Sequence, residues 1–520
     1  MKTIITYFGL TMLALSLNAQ NTPSSHGLHP CGSDEPLDAW YHAFVKGIDS
    51  APRPKSATTF IPITIHLVGD SLGRGMSSIL SVLDAFCKLN NSYKPTNIQF
   101  YINWPIREIR NTGFSRHTTI TQGRDYMLQY GVPHTMNSFI SPSAAGNCGY
   151  NMRYAGNIIS NSCLAGQTWA HEVGHYFNVQ HPFYGWEGKN YAYNTPTPLT
   201  VICDYTHFGD SVVRPNNLYL PDTTEVEFVD RRNCAVAADK LCDTYPDYIS
   251  YRWTCNGSSV SPLLQKDPAG TDFNSNGKWI MSYSDDACHT EFSANQVTLM
   301  YNYLNTQRPD LLANQNPQQG TLSSTAIRLT EPTNGDVAVP NTNIVLRWTK
   351  IPNATHYVLL VARSASFSLG YEEVLLADTF YQPTKPYPTL PSPYAYYWKV
   401  RPLNQTNTCT TYGSTGSMFN TIEGDPTSVQ TTQSINFSLS PNPITAGDKI
   451  QLQLNELPIA SQFDLRILDI QGRLITQKTT HINDVDGNNL LSIQSPTTSG
   501  VYFIQLLTPN SLTTKKVIVE

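Results

Sequence analysis

The stretch HEVGHYFNVQH, residues 171–181, constrains the fold of this 520-residue chain more than any other segment. His171 and His175 are four residues apart and therefore lie on one face of a helix, where both imidazoles can reach a single ion. His181 follows after a break, which suits three protein ligands on zinc with the fourth position left to water. Glu172, beside the first histidine, is the natural general base for that water. The stretch predicts the zinc centre of a peptidase.

The helix in this stretch must end before His181, because continued helix would carry the chain away from the metal. Asn178 stands where the pattern HExxHxxGxxH usually has glycine. Asparagine is the non-glycine residue that best tolerates left-handed backbone angles, so we expect Asn178 to adopt them. Pro182 then prevents the helix from resuming.

Composition places the chain among loop-rich, strand-rich extracellular proteins. Hydrophobic residues make up 40% and charged residues only 14%, with 35 Pro, 31 Gly and 29 Tyr. Lys and Arg number 34 against 39 Asp and Glu, a net charge of −5 with no basic stripe, so we expect no nucleic-acid partner. No segment after the N-terminus has the roughly 18 apolar residues of a transmembrane helix.

The N-terminus has the pattern of a signal peptide, residues 1–19, with Lys2 before an apolar run and Leu17-Asn18-Ala19 at the expected cleavage site. A signal anchor is the alternative. Export permits disulfides among the ten cysteines, eight of which lie between residues 87 and 288. Covalent bracing is therefore expected mainly in the zinc domain, with a connectivity that the sequence does not determine.

Residues 20–53 are interpreted as a pro-segment, polar and rich in Pro and Ser, with His29-Pro30-Cys31-Gly32 near its middle. A lone cysteine before a zinc domain can bind the metal as thiolate and displace the catalytic water, which would keep the enzyme latent. The alternative, an ordinary linker with a disulfide-bonded Cys31, is equally consistent with the sequence.

Residues 54–308 are predicted to form an α/β (α+β) catalytic domain. A β-branched strand at 60–68, an amphipathic helix at 76–90 and a strand at 97–102 indicate a right-handed parallel crossover. A further strand, Tyr154–Ser160, precedes the zinc helix.

Two later segments of this domain contain candidate functional residues. Asp239, Asp243 and Asp247 form a cluster whose oxygens could hold calcium, although the spacing alone favours Asx-type turns. Met281 lies in a tight apolar turn at 279–284 and can form a soft floor under the three imidazoles, and Tyr283 is placed to approach the metal or the substrate oxyanion. A closing helix is expected at 292–304.

The segment from about 60 to 308 resembles the pappalysin-type metzincin zinc metallopeptidases. The resemblance depends on IPITIHLV, QTWAHEVGHYFNVQH, DKLCDTYPD and IMSYSDDACHTEFSANQ. It implies zinc on His171, His175 and His181, with Glu172 as general base and acid, Met281 in the methionine turn and Tyr283 as transition-state stabiliser.

The resemblance also implies three further features: a latency switch, a calcium site and a specificity residue. It implies that Cys31 is a cysteine switch, and that calcium binds near the acidic segment, with Asp239, Asp243 and Thr244 as candidates. Tyr245 between Thr244 and Pro246 departs from the family pattern there. Some members prefer basic residues after the scissile bond, which makes Asp286 the candidate for specificity.

The rest of the chain is predicted to be two all-β sandwich domains, so the whole chain is multidomain. After a linker at 309–325, residues 326–421 alternate apolar and polar positions and resemble a fibronectin type III module through LRW, ATHYVLLVA and YYWKVRP. After a second linker at 422–435, residues 436–520 resemble the C-terminal sorting domain of type IX secretion cargo.

The sequence thus predicts a secreted, latent zinc endopeptidase acting on protein or peptide substrates. We expect a monomer that uses the type IX secretion machinery and reaches the medium or the outer surface of a Gram-negative bacterium. One rival is a binding protein or adhesin on an inactive scaffold, against which the complete set of ligands, base and methionine turn argues. A thermolysin-like enzyme, with glutamate as third ligand, is disfavoured by His181.

Overall fold

The computed structural model describes residues 28, 30–33, 37–48, 51, 57–203, 222–341, 344–368, 372–382, 390, 393–413, 416–422, 436–455, 462–481, 484–486, 488–508 and 511–520. The predicted signal peptide at 1–19, parts of the pro-segment and residues 423–435 of the second linker lie outside these residues. The chain divides into two compact units, Met1–Ile422 and Glu423–Glu520.

A six-stranded sheet forms the centre of the first unit. Its strand β1, Thr59–Gly69, is buried over nearly its whole length, as its run of β-branched and apolar residues predicts. The other strands are β2 (Ile98–Ile102), β3 (Arg107–Arg110), β4 (Met136–Ser141), β5 (Gly149–Met152) and β6 (Gly156–Ser160). Their order is β2-β1-β4-β6-β5, with β3 also beside β1, and every pair is parallel except β5 with β6.

Helix α2, Ile79–Tyr93, connects β1 to β2 and confirms the predicted strand-helix-strand crossover. It begins at Ser78, whose side chain accepts a hydrogen bond from the Ser81 amide. Its apolar side chains at three- and four-residue spacing are buried against the sheet. The remaining helices of the first unit are α1 (Ala39–Lys46), α3 (Thr112–Ser115), α4 (Ile120–Tyr130), α5 (Thr168–Tyr176) and α6 (Ala294–Thr306).

Helix α5 carries HEVGH and ends as its sequence predicts. Asn178 has φ 67°, so the left-handed angle is confirmed. The amide of Val179 donates to the Gly174 carbonyl (3.0 Å) and the amide of Asn178 donates to the His175 carbonyl (2.8 Å). These two bonds are the pattern of a Schellman cap, in which a left-handed residue satisfies the last helical carbonyls while turning the chain.

Between α5 and α6 the described residues are mostly irregular. They include two antiparallel strand pairs, β7 (Thr200–Cys203) with β8 (Asp222–Glu225) and β9 (Gln265–Lys266) with β10 (Asp272–Phe273). Covalent bonds brace this part and the strands before α5. Disulfides join Cys148 to Cys163, Cys234 to Cys242 and Cys255 to Cys288. Helix α6 begins at a capping box formed by Ser293 and Gln296.

The rest of the first unit is two facing sheets around an aromatic core that includes Trp348, Tyr357 and Trp398. One sheet has the order β11-β13-β16 and the other β12-β18-β17-β14-β15. The strands are β11 (Leu329–Glu331), β12 (Asp336–Pro340), β13 (Leu346–Trp348), β14 (His356–Ala362), β15 (Glu372–Leu376), β16 (Phe380–Tyr381), β17 (Ala395–Leu403) and β18 (Ser417–Ile422). We call residues 329–422 the β half.

The β half packs firmly onto the α/β part. A disulfide joins Cys87 of α2 to Cys409, whereas the other three disulfides of the described residues lie within the predicted zinc domain, where most of the bracing was expected. The predicted linker also packs: Leu311 is buried, and the Gln315 side chain both donates to and accepts from the backbone of Phe60 at 2.9 Å. Compactness therefore does not separate 54–308 from 326–421, and a division into independently folding domains stays a prediction.

The second unit, taken by itself, is also two sheets around one apolar core. Their orders are β19-β20-β23 and β22-β21-β24-β25. The strands are β19 (Phe437–Ser440), β20 (Lys449–Leu454), β21 (Gln462–Asp469), β22 (Leu474–His481), β23 (Leu490–Gln494), β24 (Gly500–Thr508) and β25 (Ser511–Val519). This agrees with the predicted all-β architecture of the C-terminal region.

Candidate metal centre

The three histidines of the opening stretch converge on one point. The Nε2 atoms of His171 and His175 are 3.2 Å apart, those of His171 and His181 are 3.2 Å apart, and those of His175 and His181 are 3.0 Å apart. Three nitrogens that each lie ~2 Å from a tetrahedral zinc ion are separated by slightly more than 3 Å. The spacing fits a zinc ion bound by all three rings.

The opposite nitrogen of each ring is held by an acceptor. His171 Nδ1 lies 2.8 Å from the Ile280 carbonyl, and His175 Nδ1 lies 2.9 Å from the Val179 carbonyl. His181 Nδ1 lies 3.2 Å from a carboxylate oxygen of Glu187. With Nδ1–H donating outward, each Nε2 presents its lone pair to the common point, which is the tautomer that a metal requires.

Burial favours the neutral form of two of these rings, which is the form that binds a metal. It lowers the pKa of His171 to about 4 and holds the pKa of His175 well below its usual value. Glu187, which contacts a predicted zinc ligand, was not singled out by the sequence analysis. Its carboxylate also accepts from the Gly185 amide, and no metal-ligand spacing marks it because it touches the ring rather than the ion.

Cys31 is the fourth member of this cluster. Its Sγ and the three imidazoles offer ligand atoms that all lie within 4.8 Å of one another. The thiol is buried, makes no disulfide and accepts a hydrogen bond from the Ser33 amide (3.1 Å). Burial and the nearby Glu172 carboxylate raise the pKa of this thiol. The structure thus brings Cys31 to the ligand set and does not show the alternative, a disulfide-bonded Cys31.

Glu172 is wholly buried beside the cluster. One carboxylate oxygen accepts from the Ser33 hydroxyl (2.8 Å), and the other has no hydrogen-bond partner within the described part of the chain. Burial raises the pKa of Glu172 to about 8. A Cβ on Gly149 would stand 2.8 Å from Glu172 Cγ, so the glycine lets β5 pass close over the carboxylate.

Met281 packs against helix α5, and Tyr283 lies beside the histidine rings. Met281 is fully buried, and its sulfur would be 2.3 Å from a Cβ on Gly174, which explains a glycine inside HEVGH. The Tyr283 ring is 5.0 Å from the His181 ring, centroid to centroid. Its hydroxyl donates to the Cys31 carbonyl at 3.3 Å.

The pro-segment crosses this site along the edge strand β5. The Gly32 amide donates to the Gly149 carbonyl (2.9 Å), and the Asn151 amide donates to the Ser33 hydroxyl (2.7 Å). Further along, the Asp38 carboxylate pairs with the Arg153 guanidinium at the end of β5. Gly32 and Ser33 therefore lie along the edge strand, with Ser33 directly on Glu172.

Two aspartates of the acidic segment, Asp239 and Asp243, make their hydrogen bonds in different parts of the fold. Asp239 accepts from the Thr244 hydroxyl (3.0 Å) and the Leu241 amide (3.0 Å). Asp243 instead accepts from the Ser293 hydroxyl (2.8 Å) and the Asn295 amide (2.7 Å), at the start of α6. Among the described residues, the only converging group of three or more His, Cys, Asp or Glu side chains is the one at Cys31. Calcium binding stays a prediction.

Asp286 lines a small pocket against His171 and Tyr283. Its carboxylate is already paired there with the guanidinium of Arg252, a residue that the sequence analysis did not single out. The backbone amide of Gln167, at the start of α5, donates to the same carboxylate (3.0 Å). Asp286 therefore lies near His171 and is paired with a cation of the protein itself, and its predicted role in specificity stays a prediction.

Comparisons with known proteins identify the C-terminal region. Residues 438–520 match the family described as the secretion system C-terminal sorting domain. The match confirms the predicted export, with secretion or cell-surface attachment in a Bacteroidetes-like Gram-negative bacterium, and implies interaction with the secretion machinery. No curated protein matches the chain at a significant level.

Among solved structures, a promirolysin variant from Tannerella forsythia is similar at 16% identity and a TM-score of 0.35, over 56% of this chain and 100% of that one. Fibronectin(III)-like modules of CbhA from Clostridium thermocellum are similar at 11% identity and a TM-score of 0.14, over 37% of this chain and 92% of that one. Similarity at this level supports no assignment of family or function.

Among the described helices, none is long and apolar enough to span a membrane.

Proposed function

We propose that this chain is a secreted zinc endopeptidase made as a latent precursor. The observation that carries the proposal is the convergence of three Nε2 atoms within 3.2 Å of one another, directly beside a buried carboxylate on the same helix. Three imidazoles with neutral rings are a donor set that zinc prefers, and a peptidase needs a base next to them. Zinc in such a site supplies Lewis acidity toward water and a peptide carbonyl.

Glu172 is the group that moves the proton. In the active enzyme it accepts a proton from the attacking water and passes it to the leaving amine. A buried carboxylate with a raised pKa is suited to both roles, because it can hold the proton between the two steps. Its unpartnered oxygen leaves an acceptor free for the water.

Tyr283 stabilises the developing oxyanion in this proposal. Its hydroxyl now donates to the Cys31 carbonyl, a backbone oxygen of the segment that crosses the site. Once that segment is removed, the same donor is available to a substrate carbonyl. Oxyanion donors of this kind contribute roughly 3 kcal/mol to transition-state stabilisation.

Cys31 maintains latency by occupying the position that water needs. The Cys31 thiolate and the three imidazoles would together hold the zinc ion and leave no ligand position for water. Ser33 adds to the block because its hydroxyl occupies one oxygen of Glu172. Removal of residues 20–53 would release both groups together.

Zymography with matched variants tests the proposal. The activated wild type is expected to clear a protein substrate and to lose that activity with a chelator, and Glu172→Ala is expected to abolish it while retaining zinc. Cys31→Ala should be active as the uncleaved precursor. Activity that survives Glu172→Ala or chelation would contradict a zinc peptidase. Tight substrate binding without cleavage by the wild type would favour a binding protein instead.

A further inference from the structure

Helix α1 of the predicted pro-segment is amphipathic. One of its faces is exposed, and on the other face apolar side chains recur every three or four residues. Two of them, Tyr41 and Val45, belong to the buried core of the first unit, and the others pack against that core. The apolar face consists of Leu37, Trp40, Tyr41, Phe44, Val45 and Ile48. The helix therefore lies in a groove of the first unit with its apolar face inward.

The groove under α1 is formed by residues that lie outside the pro-segment. The Trp40 indole donates to the Thr306 hydroxyl (3.0 Å), and its ring meets the Tyr303 ring edge-on, with centroids 5.3 Å apart. The Tyr41 hydroxyl donates to the Asp239 carbonyl. These partners belong to α6 and to the acidic segment, so they stay in place when the chain is cut at the end of the pro-segment.

The groups that cover the metal centre and the groups that hold the pro-segment are in different places. Cys31 and Ser33 lie at the metal centre, and residues 34–38 separate them from α1. Within residues 20–53, the only Trp, Tyr and Phe side chains are the three in α1. Large aromatic side chains in packed pockets contribute most of the binding energy at protein interfaces. The helix is therefore the part that holds the segment on the protein.

We propose that the groove under α1 is a peptide-binding surface of the mature enzyme and that the cleaved pro-segment is its occupant. Hydrolysis of the peptide bond after residue 53 consumes one water and breaks none of the contacts of α1. Residues 20–53 remain bound as a separate peptide and keep Ser33 on Glu172, so a single cut leaves the enzyme inhibited. The inhibition rests on the proposed peptidase function, whereas the binding does not.

The complex formed after the cut depends on concentration. An isolated helix of eight residues is not stable in water, so the free pro-segment must fold as it binds. This ordering cost was offset while the segment was attached to the chain, because attachment holds it at a high effective concentration. After the cut, dilution or digestion of the peptide should therefore release the activity.

Co-elution of the cut pieces tests the binding. A recognition sequence for a specific protease is placed between residues 53 and 54 of the full precursor, in a Glu172→Gln background that prevents self-digestion. After cleavage at micromolar concentration, the pro-segment should co-elute with the rest of the chain in size-exclusion chromatography. A pro-segment that elutes alone would overturn the inference.

Synthetic peptides of residues 20–53 identify the part that binds, and their substitutions cannot affect folding of the enzyme. Titrated into the protein freed of its own pro-segment, Trp40→Ala should bind about tenfold more weakly or worse than wild type. His42→Ala, on the exposed face of the same helix, is the matched control, because Trp and His have similar helix propensities.

The Cys31→Ala peptide should still bind, since α1 and not the thiol holds the segment. Equal affinities of the Trp40→Ala and His42→Ala peptides would contradict the proposal. So would binding that is lost in the Cys31→Ala peptide and unaffected by Trp40→Ala.

Cleavage of a short peptide substrate tests the inhibition. The peptide of residues 20–53 should inhibit the activated wild type. A peptide of residues 34–53, which lacks Cys31 and Ser33, should compete for the groove and relieve that inhibition. Full activity directly after the single cut, at a concentration where the pieces co-elute, would refute inhibition by the bound segment. If the peptides bind as expected but the activated wild type cleaves no substrate, only the peptidase proposal fails.

Discussion

At the scale of single residues, the metal centre is set by contacts of very different range. Val179 holds His175 from four residues away, whereas Ile280 holds His171 from more than a hundred residues away. Glu187 is the only side chain among these three acceptors, and burial raises its pKa to about 7. A substitution at Glu187 therefore tests how the orientation of the His181 ring contributes to metal binding.

Glu187→Gln should weaken zinc binding by about 10- to 100-fold, because a neutral amide is a poorer acceptor for the His181 Nδ1–H and no longer raises the basicity of the ring. Competition with a chromophoric chelator measures the affinity. Glu331→Gln, at an exposed site in the β half, is the control. An unchanged zinc affinity in Glu187→Gln would exclude the carboxylate from this role.

Asn178 allows a second test, of backbone strain alone. Asn178→Gly and Asn178→Ala both lose the side-chain contacts, but only alanine is strained at a φ of 67°. The glycine variant should therefore be more stable than the alanine variant by about 1 kcal/mol in denaturant unfolding. Equal stabilities would mean that the left-handed turn is not what restricts this position.

At the scale of elements, the edge strand β5 and the pro-segment act as one assembly. Asp38 both caps α1, accepting from the Tyr41 amide at 2.7 Å, and pairs with Arg153. Tyr41 in turn donates its hydroxyl to the Asp239 carbonyl (2.5 Å). Through this backbone contact the acidic segment helps to hold the pro-segment in place, independently of any calcium binding.

Substitutions at Asp38 separate its two roles. Asp38→Asn keeps a good helix cap and loses the ion pair, whereas Asp38→Ala loses both. Residual activity of the uncleaved precursor should rise from wild type to Asp38→Asn to Asp38→Ala, with about a fivefold step for a cap worth ~1 kcal/mol. Asp230→Asn, which loses only an exposed pair with Arg232, should match wild type. Identical precursor activity in all four proteins would exclude α1 docking from latency.

At the scale of the whole molecule, the β half behaves as part of the first unit rather than as a loose spacer. Arg401 pairs with Asp84 of α2 at 3.1 Å, beside the bridge from Cys87 to Cys409. The Ile102 amide at the end of β2 donates to the Gln405 carbonyl (3.1 Å), and the rings of Trp104 and His356 stack 3.9 Å apart, centroid to centroid. We expect the α/β part and the β half to unfold together.

Removal of the long-range disulfide tests this cohesion. The double substitution Cys87→Ser with Cys409→Ser should cost about 2–4 kcal/mol in denaturant unfolding, since the bridge closes a loop between cysteines 322 residues apart. Cys234→Ser with Cys242→Ser, eight residues apart, should cost less. A larger cost for the short loop, or separate transitions for the α/β part and the β half of the wild type, would contradict cooperative unfolding of the first unit.

Much of the fold follows from short-range patterns. The crossover from β1 through α2 to β2 agrees with the prediction made from period and length. Tertiary packing overrode one short-range pattern: the polar segment at 309–325 reads as a linker, yet Leu311 and Gln315 attach it to the sheet. The polar composition of a segment shows that it can face solvent, but it does not predict which other segments it contacts in the folded chain.

Helical period and backbone sterics act within a few residues, so the residues alone predict the helix that carries HEVGH and its left-handed end at Asn178. The family pattern adds Met281 and Tyr283. Three contacts could not be predicted in this way: Ser33 on Glu172, Glu187 on His181 and Arg252 on Asp286. No spacing in the sequence indicates them, since most of them join segments that meet only when the chain has folded.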